Sequence, residues 1–298
     1  MVKKGKQLGR QRYKCLDCKR QFQSKKRKQK FLNKLWREYV YGKQTALELG
    51  KKYQRSSKWI LQQLNKVEVN ETKVINIQPR PVVVVADATF FERTAGLLIF
   101  REPNLKQNLI WQEIPSETIK QYALLKLKLE YLGFTIKAVV LDGRKGIRTV
   151  FQGLPIQMCH FHQAAIIRRH LTNRPKLLPA IELREIVRQL TKSNENDFGL
   201  MLNKWHNQWQ EFLKERTVDF ITHKWFYTHK RLRSAYRSLK TNLPYLFTYQ
   251  KYPELIIPNT TNSLDGYVTT LKKHLGNHQG MRKEKRTKII NHFLNSMP

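Results

Sequence analysis

Residues 81–87 read Pro-Val-Val-Val-Val-Ala-Asp, and residues 136–142 read Ile-Lys-Ala-Val-Val-Leu-Asp. A near-continuous apolar run closed by an acid marks a strand buried on both faces; a strand with one wet face would alternate instead. Between these two, Gly96–Arg101 and Leu109–Ile114 supply further strands, joined by connections short enough for an antiparallel meander. Residues 116–132 have helical spacing, with Ser116 as cap and Ile119, Tyr122, Ala123, Leu125 and Leu129 facing inward. A helix starts around Lys145, and a fifth strand, Ile156–Cys159, runs into His160-Phe161-His162.

Three consecutive strands, a helix, and a fourth strand beside the first make a ribonuclease-H-like order. The fold class expected is therefore α/β, with a mixed-sheet core. In that order the first and fourth strands are neighbours, and Asp87 and Asp142 stand side by side at one rim.

Outside this core the texture is helical and basic. Residues 1–30 form a strongly basic arm containing Cys15-Leu16-Asp17-Cys18, half of a zinc ribbon. A structural zinc takes four ligands. The options are a shortened ribbon, a ligand pair borrowed from another chain, or a metal-free remnant, which the ligand count favours. Residues 31–66 read as three helices. Thr45 caps the second, Ser56 or Ser57 caps the third, and a tight turn lies over Leu49–Tyr53, which suits a helix-turn-helix. Arg55, Ser56, Ser57, Lys58, Gln62 and Gln63 would then face DNA. Residues 67–80 are a linker, and 81–162 the first part of the core. Residues 163–257 read as an all-helical insertion, and 258–298 as final core helices, with Asp265 in the first turn of one of them.

The 298 residues carry 57 Lys+Arg against 22 Asp+Glu, a formal charge of +35. With 40% hydrophobic residues, six Trp and fourteen Phe, the chain can build a core, so the charge speaks of partners rather than disorder. Double-stranded DNA is the leading partner, since basic side chains displace counterions from phosphates. The sequence has no run of about twenty apolar residues, so no membrane span is expected, and its start does not read as a secretory signal. Three cysteines cannot make a disulfide framework and point to a reducing compartment.

Facing carboxylates repel unless a cation neutralises them, and hard oxygen ligands suit Mg²⁺ or Mn²⁺. Two such ions can drive in-line phosphodiester displacement. A strand-end Asp can equally cap the next helix, but two at matching positions in a basic chain favour a metal site. Asp265 is the candidate third ligand, although a first-turn acid also complements the helix dipole. Gaps of 55 and 123 residues separate the three acids, and the helical insertion fills the second. Cys159 and His162 are supporting residues. Trp225, His229 and Arg233 sit four apart, as on one helical face, where Trp225 can stack on a base and Arg233 grip a phosphate. Lys272, Lys273, His274 and His278 would hold DNA backbone beside Asp265.

Ala86-Asp87-Ala88-Thr89, Leu141-Asp142-Gly143-Arg144, Gln157–His162, Arg233-Ser234-Ala235-Tyr236 and Thr260–Gly266 together resemble insertion-sequence transposases of the IS256 family, which are Mutator-like, and most closely the IS1249-type subgroup. The resemblance implies an RNase H-like core with a helical insertion and a DDE triad of Asp87, Asp142 and Asp265 holding two Mg²⁺ ions. It also implies cleavage at terminal inverted repeats, strand transfer, and action in the bacterial cytoplasm at the nucleoid. Pairing two ends calls for a homodimer or larger on DNA. The family's third acid is usually Glu and its N-terminal zinc ribbon complete; here they are Asp265 and one Cys pair. The alternatives are a decayed copy that only binds DNA, and an RNase H-like nuclease that cuts without joining.

Overall fold

The computed structural model describes residues 1–7, 10–23, 26–67, 78–93, 95–278 and 280–296. Most of the linker expected over 67–80 lies outside them. The chain forms two compact units, Met1–Lys73 with Thr270–Ser296, and Val74–Thr269 with Met297–Pro298.

The first unit opens with β1 (Val2–Gln7), β2 (Arg10–Lys14) and β3 (Gln21–Gln23), an antiparallel sheet in that order. The basic arm thus contains strands, with Cys15 and Cys18 in the β2–β3 connection. Three helices follow, α1 (Lys26–Val40), α2 (Ala46–Tyr53) and α3 (Ser57–Asn65). Thr45 caps α2 in a reciprocal box: Glu48 N donates to Thr45 Oγ1 at 3.2 Å, and Thr45 N donates to Glu48 Oε2 at 2.7 Å. Ser56 Oγ accepts from Trp59 N at 3.2 Å and starts α3. The turn lies later than the sequence suggests: residues 49–53 are still helical, and the chain reverses after Gln54, which takes a left-handed φ of 52°. Gly50 permits this, because a Cβ there would sit 2.6 Å from Arg55 O. Gln63 is buried, so it packs inside this unit instead of facing a partner.

The second unit holds the sheet. Its strands are β4 (Pro81–Glu92), β5 (Ala95–Glu102), β6 (Gln107–Ile114), then, after α4 (Ile119–Tyr131), β7 (Thr135–Leu141) and, after α5 (Lys145–Arg148), β8 (Ile156–Met158). The spatial order is β6-β5-β4-β7-β8, with β4 antiparallel to β5 and parallel to β7. Tyr122, Leu125 and Leu129 of α4 close one face over Val82, Val84, Ala86, Phe100 and Ile136. Each such side chain contributes roughly 1.5–3 kcal/mol on burial. Two details differ from the sequence reading. The N-cap of α4 is Thr118 rather than Ser116, because Glu117 is drawn to Tyr122 and Arg144. Ile119 is consequently exposed.

Beyond β8 come α6 (His160–Leu171), α7 (Leu178–Arg188), α8 (Glu195–Lys214), a hairpin of β9 (Arg216–Val218) and β10 (Trp225–Tyr227), α9 (Lys230–Leu246) and α10 (Thr248–Lys251). The insertion is thus mostly but not wholly helical. Arg216-Thr217-Val218, with two β-branched residues, and the aromatic Trp225-Phe226-Tyr227 are too short to register against long helices on either side. Leu183, Phe198, Leu202, Trp205, Leu232 and Leu239 form this region's own core. The chain ends with α11 (Asn262–Gly276), within which the boundary between units falls, and α12 (Lys283–Ser296). Ile289 of α12 joins Leu32, Leu35, Trp36, Leu49, Ile60 and Leu64 in the core of the first unit. No helix among the described residues is long and apolar enough to cross a membrane.

Candidate active site

Asp87 sits inside β4 rather than at its end: the strand continues antiparallel to β5, where Asp87 pairs with Ile99. Its parallel pairing with β7 stops at Val85–Val140. Asp87 and Asp142 lie the same two residues beyond that pair, Asp142 just past the end of β7, and the charge of Asp142 reaches the Asp87 carboxyl. Just after Asp142, Gly143 turns the chain with φ +97°; a Cβ there would press on Met158 Cε and lie 2.8 Å from its Sδ. Only glycine allows both the conformation and the close approach. Arg144 N then donates to Asp142 Oδ1 at 3.0 Å.

Asp265 arrives from α11. Its Oδ2 accepts from Thr261 Oγ1 at 2.8 Å, and its N donates to Thr261 O at 3.0 Å. Thr261 is wholly buried and in turn meets the start of α6: Thr261 N donates to Cys159 Sγ at 3.3 Å, and its hydroxyl stands 3.5 Å from His162 Nδ1. Cys159, the N-cap of α6, and His162, in the first turn, are therefore fixed to the element that carries the third acid.

The electrostatics tie these groups together. Burial, then the negative charge of Asp142, push the Asp87 carboxyl up to about 7; Asp265 adds to the rise and His162 opposes it. His162 is pushed up to about 9, chiefly by its hydrogen bond with Cys159, with Asp87 and Asp142 contributing further. Burial works against the Cys159 thiolate, but hydrogen bonds from His162 and Thr261 hold that thiol below its usual range. Tyr122 beneath the acids is pushed far up by burial and by Glu117, Asp87 and Asp142. Its hydroxyl donates to Glu117 Oε1 at 2.9 Å, and Arg144 bridges the other oxygen of Glu117 at 2.7 Å. Arg148 feels the charge of Asp142 and lies 4.2 Å from the centre of the Tyr245 ring, with Nη2 donating to Asn242 Oδ1 at 2.7 Å. Thr261, Glu117, Tyr122 and Arg148 had no site role in the sequence reading; only Thr261, inside the Thr-Thr-Asn motif, carried a signal. Among the described residues no three His, Cys, Asp or Glu side chains stand at the spacing of a single coordination shell.

Compared with protein-family models and with curated protein sequences, the chain matches none.

The other expected site residues lie elsewhere. Arg55, Ser57, Lys58 and Gln62 are exposed on α3 and the turn before it, with Arg55 5.6 Å from the Trp59 ring centre. Trp225, His229 and Arg233 do not share a helical face: Trp225 is on β10, His229 caps α9, and only Arg233 is inside that helix. Arg233 Nη1 donates to Leu213 O at 2.6 Å, and its guanidinium covers the Tyr227 ring at 3.6 Å. Lys272 and Lys273 are exposed on the part of α11 that belongs to the first unit. His274 and His278 are buried, each with a ring nitrogen 2.9 Å from a backbone carbonyl, of Val40 and Tyr39 respectively, so they serve packing. His160 is likewise buried, with Nε2 2.6 Å from Leu246 O. At the N-terminus, backbone N–H groups of Cys18 and Asp17 hold the Cys15 thiol below its usual range, as in a metal knuckle, but the pair brings only two ligands.

Proposed function

We propose that this chain is a metal-dependent transposase that cuts and joins DNA strands, with Asp87, Asp142 and Asp265 as its catalytic acids. The observation that carries the reading is that Asp87, within β4, and Asp142, just past the end of β7, each lie two residues beyond the last parallel pair, Val85–Val140, with Asp265 close enough to disturb the Asp87 charge. The five-stranded mixed sheet, in the order β6-β5-β4-β7-β8, supports a ribonuclease-H-like reading and with it phosphodiester chemistry at this rim.

Burial and then the negative charge of Asp142 push the Asp87 carboxyl up, and a hard divalent cation between the two acids would relieve that repulsion. Asp87, Asp142 and Asp265 would hold Mg²⁺ or Mn²⁺. Bound there, the ions supply Lewis-acid activation of the attacking hydroxyl and neutralise charge on the leaving oxygen. The chain does the rest. Thr261 fixes the rotamer of Asp265, which matters because aspartate reaches one methylene less far than glutamate. His162, whose imidazole is pushed up chiefly by its hydrogen bond with Cys159, stands beside the acids, where its protonated form would attract a phosphate. The exposed side chains of α3, entered through a tight turn, suit a helix-turn-helix that reads the major groove through Arg55, Ser57, Lys58 and Gln62. Incubating inverted-repeat DNA with Mg²⁺ tests the proposal: nicking and joining are expected from the native chain and not from Asp142→Asn. Cutting that never proceeds to joining would favour a nuclease instead.

A further inference from the structure

Phe220 and Ile221 are 92% and 90% exposed at the tip of the β9–β10 hairpin. Hairpin tips ordinarily take Gly, Asn, Asp or Ser, and two large apolar side chains held in water there call for an occupant. The tip is held in one shape. Asp219 Oδ1 accepts from Ile221 N at 2.9 Å and Thr222 N at 2.8 Å, while Asp219 N donates to Lys224 O at 3.0 Å. Behind it the ribbon is braced by aromatic rings under cations: Arg216 lies 3.9 Å from the Trp225 ring centre, and Lys230 3.8 Å from that of Phe226. Thr217 and Thr228 share a hydroxyl contact at 2.8 Å across the hairpin.

Charge narrows the occupant. Arg216, Lys224 and Lys230 are exposed around the ribbon, and among the described residues none has a carboxylate within ion-pair distance. The two local acids are engaged: Asp219 by the turn amides, Glu215 by His229 at 2.8 Å. A stiff apolar point between cationic shoulders matches stacked bases flanked by phosphates.

We propose that this hairpin is a DNA wedge. Phe220, with Ile221 beside it, inserts between neighbouring base pairs and unstacks them, while Arg216, Lys224 and Lys230 hold the phosphates on either side. The wedge rests on the DNA-acting reading above but requires neither metal nor strand cleavage, so each can fail alone.

The test uses the full-length chain in EDTA with short duplexes carrying 2-aminopurine at TA steps, whose stacking is easily broken. The native chain should raise 2-aminopurine fluorescence on binding, and Phe220→Ala/Ile221→Ala should abolish that rise. Affinity should fall by less than about tenfold, because the unstacking cost disappears along with the stacking gain. Phe220→Trp should restore the signal. Equal fluorescence from the double variant, or no rise with the native chain despite saturated binding, overturns the wedge. So does a hairpin that binds phosphatidylserine vesicles through Phe220 while leaving duplex stacking intact. With Mg²⁺ in place of EDTA, loss of nicking by the double variant on intact duplex but not on a duplex with a pre-formed bulge would join the wedge to catalysis; a native chain that never nicks yet keeps its fluorescence rise would contradict the enzymatic reading alone.

Discussion

Removing the charge of Asp87 should stabilise the metal-free protein while abolishing its activity. Its carboxyl ordinarily ionises near 3.8 and is held up to about 7 by burial and by Asp142 and Asp265. The folded state therefore keeps this proton more tightly than the unfolded chain does. The resulting stability is fully present below about pH 4 and is lost as pH rises through about 7. At about 1.36 kcal/mol per pH unit the ceiling is roughly 4 kcal/mol, and water at the half-open rim screens it to on the order of 2–3 kcal/mol. Asparagine keeps the shape without the charge. In EDTA at pH 8, Asp87→Asn should melt roughly 4–12 °C above the native chain, given about 2–4 °C per kcal/mol for a domain of this size. The two should converge near pH 4, and Mg²⁺ at pH 8 should raise the native melting temperature but not that of the variant. Calorimetry across this range decides the matter. A variant less stable than the native chain at pH 8, or a difference independent of pH, would refute the reasoning.

Other outcomes follow from single residues. Gly143→Ala forces a Cβ against Met158 at a positive φ, so a loss of roughly 2 kcal/mol or more is expected in urea denaturation, with nicking lost through displacement of Asp142. Thr261→Val removes the hydroxyl that orients Asp265; the Mg²⁺ concentration for half-maximal nicking should rise, while stability changes by about 1–2 kcal/mol. Thr45→Ala should cost about 1 kcal/mol through loss of the reciprocal cap, read from the unfolding transition of the first unit. Lys58→Ala should weaken DNA binding evenly across sequences and lower the slope of log affinity against log salt by about one.

The sheet and two of its acids were legible because burial on both faces leaves an unbroken apolar run, as at Val82–Ala86 and Ala138–Leu141. Asp265 could be placed in a first turn from the Thr-Thr-Asn loop before it, but its hold by Thr261 could not be read. The contact between Thr261 and Cys159 spans 102 residues, and nothing in local pattern announces it. The β9–β10 hairpin was missed because three-residue strands between long helices fall below the length at which periodicity speaks. His274 and His278 look like phosphate ligands in a basic stretch; only burial against the carbonyls of Val40 and Tyr39 reveals their packing role. Ser116 lost the cap to Thr118 because Glu117 found a partner 27 residues away in Arg144.

The central claim is that Asp87, Asp142 and Asp265 form a metal-dependent phosphodiester centre. Nicking of supercoiled plasmid in Mn²⁺ tests it most directly, because no end sequence need be known. The account predicts nicking by the native chain, none in EDTA, and none from Asp87→Asn, Asp142→Asn or Asp265→Asn, each of which still binds the plasmid. Undiminished nicking by any of these variants, or a native chain that binds tightly and never cuts in Mn²⁺, would contradict it.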